Sequence, residues 1–196
     1  MAWLEPTTLK GVHCTLMPLA QEHSDNLIEA GNDGKLWSLI YTSVAKPENM
    51  MADIEKRLAK QEQGNMLPFT VMDNASGKAI GMTSFYNIDE KNHRLDLGYT
   101  WYAKSYWGTP VNTECKFLLL EHAFETLDCI CVTFKVDYLN KRSQRAVEKL
   151  GAKRDGLIRN FLRYPDGSTR DVVIYSILPH EWPRIKSLLN SRLSPY

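Results

Sequence analysis

Tyr106-Trp107-Gly108-Thr109-Pro110 runs into an apolar helical pattern, and this is the stretch whose residue types could do chemistry most directly. Thr109 suits an N-cap, and Pro110 suits the first helical position, where its missing N–H costs nothing. Gly108 lets the backbone turn sharply before the cap. The amides of Gly108, Thr109, Val111 and Asn112, with the positive end of the helix dipole behind them, would form an anion site. Many helices open on Thr-Pro and hold no anion, so alone this stretch specifies only a helix start. Asn140-Lys141-Arg142-Ser143 opens a second, shorter helix, with Asn140 as N-cap and Ser143 in the first turn.

Other reactive side chains point to structure. Cys14, Cys115, Cys129 and Cys131 lack metal-ligand spacing. Cys129 and Cys131, expected on one strand, read as reduced core cysteines of a cytoplasmic protein. Cys115 and His122 lie about two helical turns apart, too far for a nucleophile and its base. Glu114 sits in a first helical turn, where dipole complementarity explains it.

The elements that must position these residues follow from periodicity. Val12 to Leu19 reads as a first strand, and Ser24 or Asp25 caps a helix through Ala30, closed by Gly31. Lys35 to Ser43 is a short helix or a loop. Pro47 opens a longer helix striped by Met50, Ile54 and Leu58 and ended by Gly64. Phe69 to Met72, Ala79 to Ile88 and Arg94 to Tyr102 form an antiparallel meander. In the last, Leu95, Leu97, Tyr99 and Trp101 face one way, and Asp96, Gly98, Thr100 and Tyr102 the other. A helix from Pro110 to Leu127 leads to a strand from Cys131 to Asp137, whose Val132, Phe134 and Val136 share a face. A helix from Lys141 to Leu150 ends at Gly151. Leu157 to Tyr164, a Pro165-Asp166-Gly167 turn, Val172 to Leu178 and a helix from near Trp182 complete the chain. The helical crossover makes the fourth and fifth strands parallel. The fold class is α+β: a mixed, mostly antiparallel central sheet flanked by helices, in a single domain over residues 1–196.

The run Leu97-Gly98-Tyr99-Thr100-Trp101, then Tyr106 to Glu114, then Asn140-Lys141-Arg142-Ser143 with Ala146 and Glu148 to Ala152, resembles the GCN5-related N-acetyltransferase (GNAT) superfamily, in its RimJ/RimL-like branch. The resemblance spans nearly the whole chain and carries two motifs about thirty residues apart. It implies an acyl-CoA N-acyltransferase fold whose parallel fourth and fifth strands splay to admit acetyl-CoA. The cofactor-binding residues it implies are Thr100, Trp101 and Tyr102 for pantetheine, then Gly108, Thr109, Val111 and Asn112 for the pyrophosphate. Asn140, Ser143 and Arg145 would follow on the second helix, with Arg142 and Lys149 near the adenosine phosphates. One strand N–H would polarise the thioester carbonyl. The phosphate loop departs from the family's pattern at Ser105 and Pro110, and Pro110 removes a donor. The neighbouring amides and Asn112 are expected to compensate, aided by Lys104 or Lys116. Val147 stands where many relatives carry a thiolate-protonating tyrosine, which makes Ser143 the candidate.

An alkylamine acceptor is mostly protonated at neutral pH, so a base is needed. The resemblance puts Asp96 in that role, and the alternative is a salt bridge to Arg94. Asp89, Glu90 and His93 are weaker candidates. Trp37, Tyr41 and Phe85 could line an acceptor pocket or belong to the core, and Tyr175 and Asp171 are equally ambiguous. The expected activity is acetyl transfer to a protein N-terminus or a small-molecule amine, and the competing reading is a non-catalytic CoA-binding or sensing module. A formal net charge of +1 argues against nucleic acid or an anionic membrane as partner. Met1 to Lys10 lacks the apolar stretch of a signal peptide. No metal is expected, and a homodimer stays open.

Overall fold

The computed structural model describes residues 3–39, 44–164 and 167–194. In chain order the strands are β1 (Leu9–Lys10), β2 (Cys14–Pro18), β3 (Met66–Asp73), β4 (Ala79–Asp89), β5 (Arg94–Tyr102), β6 (Cys131–Asp137), β7 (Lys153–Arg163) and β8 (Thr169–Ile177). They form one sheet in the order β1-β2-β3-β4-β5-β6-β8-β7. The β5–β6 pair is parallel and the others antiparallel. The helices are α1 (Ser24–Asn32), α2 (Met50–Glu62), α3 (Val111–Glu121), α4 (Lys141–Leu150) and α5 (Trp182–Leu193). The expected fold class holds, with the two-residue β1 added before the strand read as first.

Each sheet face buries its own apolar cluster, because the strand alternation supplies hydrophobic side chains to both. On one face Val111, Cys115 and Leu119 of α3, Val147 and Leu150 of α4 and Ile185 and Leu189 of α5 pack on Leu95, Leu97, Val132 and Phe134. On the other, Leu27 and Ala30 of α1 and Met50 and Ile54 of α2 pack on Met82 and Trp101. The crossover helix α3 connects β5 to β6, which places its N-terminus beyond the end of β5. No helix among the described residues is long and apolar enough to cross a membrane.

Several local expectations are corrected. Thr109 does not cap α3: its hydroxyl donates to the Tyr106 carbonyl at 2.8 Å, and Pro110 immediately precedes the helix. The helix read as continuous to Leu127 gives way at His122–Thr126 to a wider π turn. Gly31 lies inside α1, which runs on to Asn32. Of Lys35 to Ser43, Leu36–Ser38 forms one 3-10 turn, while residues 40–43, including Tyr41, and the Pro165-Asp166 turn lie outside the described residues. Cys129 precedes β6 rather than sharing it with Cys131. All four thiols are free, and burial pushes the Cys129 thiol up to about 12.

Candidate active site

The sequence places Gly108 where a positive φ is required, and the structure gives it φ +80 with no atom within 4 Å of where a Cβ would stand. Only glycine takes that conformation at no steric cost, and the space over it is open to a ligand. Among the described residues the amides of Gly108, Val111 and Asn112 make no main-chain hydrogen bond, whereas that of Thr109 turns back to the Tyr106 carbonyl at 3.4 Å. Three of the four amides expected to face an anion are therefore available, at the N-terminus of an 11-residue helix. The loop is held from behind by the Ser105 amide, which donates to Asp33 at 2.8 Å. Hydrogen bonding from Ser105 holds the Asp33 carboxyl below the usual carboxylate range.

The two sequence motifs meet here. The Arg142 guanidinium lies 3.5 Å from the centroid of the Trp107 ring, so α4 packs on the turn that precedes α3. Asn140 caps α4 as expected, its side chain accepting from the Ser143 amide at 3.0 Å. Arg145 and Lys149 are exposed on the same helix.

Between the motifs the strands part. β5 and β6 keep register over Arg94↔Cys131, Leu95↔Val132 and Asp96↔Thr133 and pair no further. The main chain from Leu97 to Tyr102 is thus left without a β6 partner, an edge that an extended amide chain can satisfy. The departure coincides with a bulge against β4, where the register shifts between Met82 and Ser84, and Tyr99 takes φ +51. A positive φ is unusual for a bulky residue and marks a local constraint. The extra residue corrects the expected alternation. Leu95 and Leu97 face α3, Tyr99 contacts Tyr86 and α2, and beyond the bulge Tyr102 faces α3 while Trp101 packs with α1 and α2. The Trp107 indole donates to the Tyr102 carbonyl at 3.0 Å, tying the strand end to the turn before α3.

Asp96 is buried at the last registered pair. Its salt bridge is to Lys135 at 2.6 Å and not to Arg94, and Asn87 donates to the same carboxylate oxygen at 2.7 Å. Tyr86 stands beside them, 4.8 Å from the Tyr99 ring. Burial first, then the Asp96 charge, raises its hydroxyl well above the ordinary tyrosine value. Sequence reasoning did not single out Lys135, Asn87, Tyr86 or Arg57. Lys135 was findable, because it alternates with the inward Val132, Phe134 and Val136 and so shares a sheet face with Asp96.

Lys116 does not reach the phosphate loop. It is buried, donates to the Thr100 hydroxyl at 2.7 Å, and is lowered by desolvation to about 8. Thr100 is in turn bonded to Thr83 at 2.8 Å. Glu114 does more than complement a dipole: its buried carboxylate accepts from the amides of Val12, His13 and Cys14, each at 2.7 Å. Phe85 and Tyr175 are core residues, the latter donating to Glu148 at 2.8 Å. Trp37 is half-buried, and Asp171 accepts from the Asn160 amide. No group of three or more His, Cys, Asp or Glu among the described residues could hold a metal ion.

Comparison with known proteins bears on this arrangement. A family model described as an acetyltransferase (GNAT) domain matches residues 13–153. The chain belongs to the GNAT acetyltransferase family. A crystal structure from T. thermophilus, described as an acetyltransferase, superposes with a TM-score of 0.86 at 36% identity, covering 98% of this chain and 100% of that one. YdaF of Bacillus subtilis (strain 168), named as a ribosomal N-acetyltransferase, is 34% identical over 106 residues, 54% of this chain and 57% of its own length. Mycobacterium smegmatis RimJ, solved with CoA-disulfide, shares the fold at a TM-score of 0.81 and 19% identity, covering 95% of each chain. These relatives fit the RimJ/RimL-like resemblance of the motifs. The Ser105 amide is taken by Asp33 and Pro110 has no N–H, so neither offers a main-chain donor at this turn. Val147 is buried in the core.

Proposed function

We propose that this protein transfers an acetyl group from acetyl-CoA to a primary amine, by direct attack of the amine on the thioester in a ternary complex. The observation that carries the reading is the end of β5–β6 pairing after Asp96↔Thr133, with open Gly108 and its neighbouring amides at the adjoining helix start. Pantetheine would bond along Thr100, Trp101 and Tyr102. The pyrophosphate would sit on Gly108, Val111 and Asn112, with Thr109 shaping the turn, and Asn140 and Arg145 would contact the cofactor from α4. A strand N–H near the bulge stabilises charge developing on the acetyl oxygen.

The amine nitrogen bonds to the acetyl carbon as the carbon–sulfur bond breaks. The amine must first lose a proton, and Asp96 is the proposed acceptor of it. Lys135 and Asn87 already occupy one oxygen of that carboxylate, so a bridging water suits the transfer better than direct contact. Ser143 is the proposed donor of a proton to the departing thiolate. The acceptor is a protein N-terminus or a small-molecule amine. The ion pair of Asp96 with Lys135 favours a second reading, a CoA-binding module that retains the fold without turnover. Free CoA thiol release with acetyl-CoA and a panel of amines tests both. Amine-dependent release supports transfer, and tight binding without release on any acceptor supports the module.

A further inference from the structure

We infer that the acceptor carries an anionic group next to its amine, a carboxylate recognised by Arg57 of α2 together with Lys60; this rests on the amine-acetylation reading above. Arg57 is only 4% exposed. Its Nε donates to Asp53 at 2.7 Å, but its Nη1 is buried without a hydrogen-bond partner. An unpaired guanidinium nitrogen in the interior is costly, and native proteins keep such a group where something else satisfies it. Arg57 is also not placed at random: its guanidinium carbon lies 5.3 Å from the ring centroid of Tyr99, the residue that forms the β5 bulge. Lys60, one helical turn on, lies 5.9 Å from the same ring.

Tyr99 is 38% exposed and joins this pair of cations to Tyr86, Asp96 and Lys135 on the face that α2 covers. The charges there are uneven. Asp53 pairs with Arg57 and Asp96 with Lys135, while Lys60 has no ion pair among the described residues. Both carboxylates are committed and one cation is unbalanced. An amine arrives mostly as an ammonium, so this face disfavours an acceptor that is only cationic. A carboxylate close to the amine offsets that charge, and a guanidinium's planar donors suit a carboxylate. The carboxylate can belong to a free amino acid or to an acidic side chain near a peptide's N-terminus.

The test compares isosteric acceptors. Alanine against alaninamide probes the free acid, and Ala-Glu-Ala amide against Ala-Gln-Ala amide probes the peptide side chain. Thiol release from acetyl-CoA gives kcat/KM for each, and calorimetry on the CoA-bound protein gives affinity. In one pair or the other, the acid should exceed its amide by about tenfold or more, the size of a charge-assisted hydrogen bond. Arg57→Met should collapse that ratio towards unity. Arg57→Lys should keep part of it, and Lys60→Met, at a more exposed position, should reduce it in a chain whose fold is not in question. Equal rates for acid and amide in both pairs would overturn the inference, as would a ratio that survives Arg57→Met. If no acceptor releases thiol, the transfer reading falls. The calorimetric ratio then still decides whether this face selects an anion.

Discussion

Replacing Lys116 by methionine should stabilise the protein at neutral pH, although it removes a hydrogen bond. Lys116 is buried under β5 with its ammonium on the Thr100 hydroxyl, and desolvation lowers it from 10.5 to about 8. That difference corresponds to about 3 kcal/mol of folding free energy at pH 7, where both folded and unfolded chains are protonated and the burial penalty is fully present. Methionine fills similar volume without charge. Losing the bond to Thr100 returns about 1 kcal/mol, and Thr100 keeps Thr83 as a partner. The net expectation is about 2 kcal/mol of stabilisation at pH 7.

The sign with pH is opposite to that of a lysine gaining a salt bridge. The unfolded chain binds this proton more tightly, so the Lys116 contribution grows as pH rises from about 8 towards the ordinary 10.5. Between pH 7 and 9 the wild type should close on Lys116→Met by about 1.4 kcal/mol, one pH unit of linkage. The raised Cys129 thiol works in the other direction, and taking the difference between the two proteins cancels it. Urea unfolding at both pH values measures it. A gap that stays constant with pH, or a mutant less stable than wild type at pH 7, would refute the reasoning.

Gly108→Glu should abolish measurable acetyl-CoA binding in calorimetry, because it adds a side chain and a negative charge at a φ +80 turn facing the proposed pyrophosphate. Glu114→Ala should cost about 3 kcal/mol and lower Tm by several degrees, since three main-chain amides lose their buried acceptor. Asp96→Asn should depress turnover most at low pH, where the amine is chiefly protonated, if Asp96 takes the proton. A pH–rate profile of unchanged shape would pass that role to water.

Most elements were legible because periodicity and punctuation agreed along the chain. Asn140 and Gly151 bound α4 as N-cap and C′ residues, and the meander and crossover follow from alternating strands and one long apolar helix. The places that misled are those where tertiary contacts override local pattern. Strict alternation through β5 fails at the bulge, where Tyr99 takes φ +51 and meets Tyr86 and the α2 cations, none of which is near it in sequence. Lys116 reads as a cation for the cofactor's phosphates, yet a threonine on the adjoining sheet face is its partner. Glu114 reads as a helix-dipole residue because the amides it serves lie about a hundred positions earlier. Thr109 has the chemistry of an N-cap, yet a nearer carbonyl takes its hydroxyl.

The most direct measurement is a crystal structure of the protein with CoA. The thiol-bearing arm should run along β5 from Thr100 to Tyr102 in the gap beyond the Asp96↔Thr133 pair, with the pyrophosphate on the amides of Gly108, Val111 and Asn112. CoA bound away from that gap, or β5 and β6 closed into a continuous pair with CoA elsewhere, would contradict the proposed site.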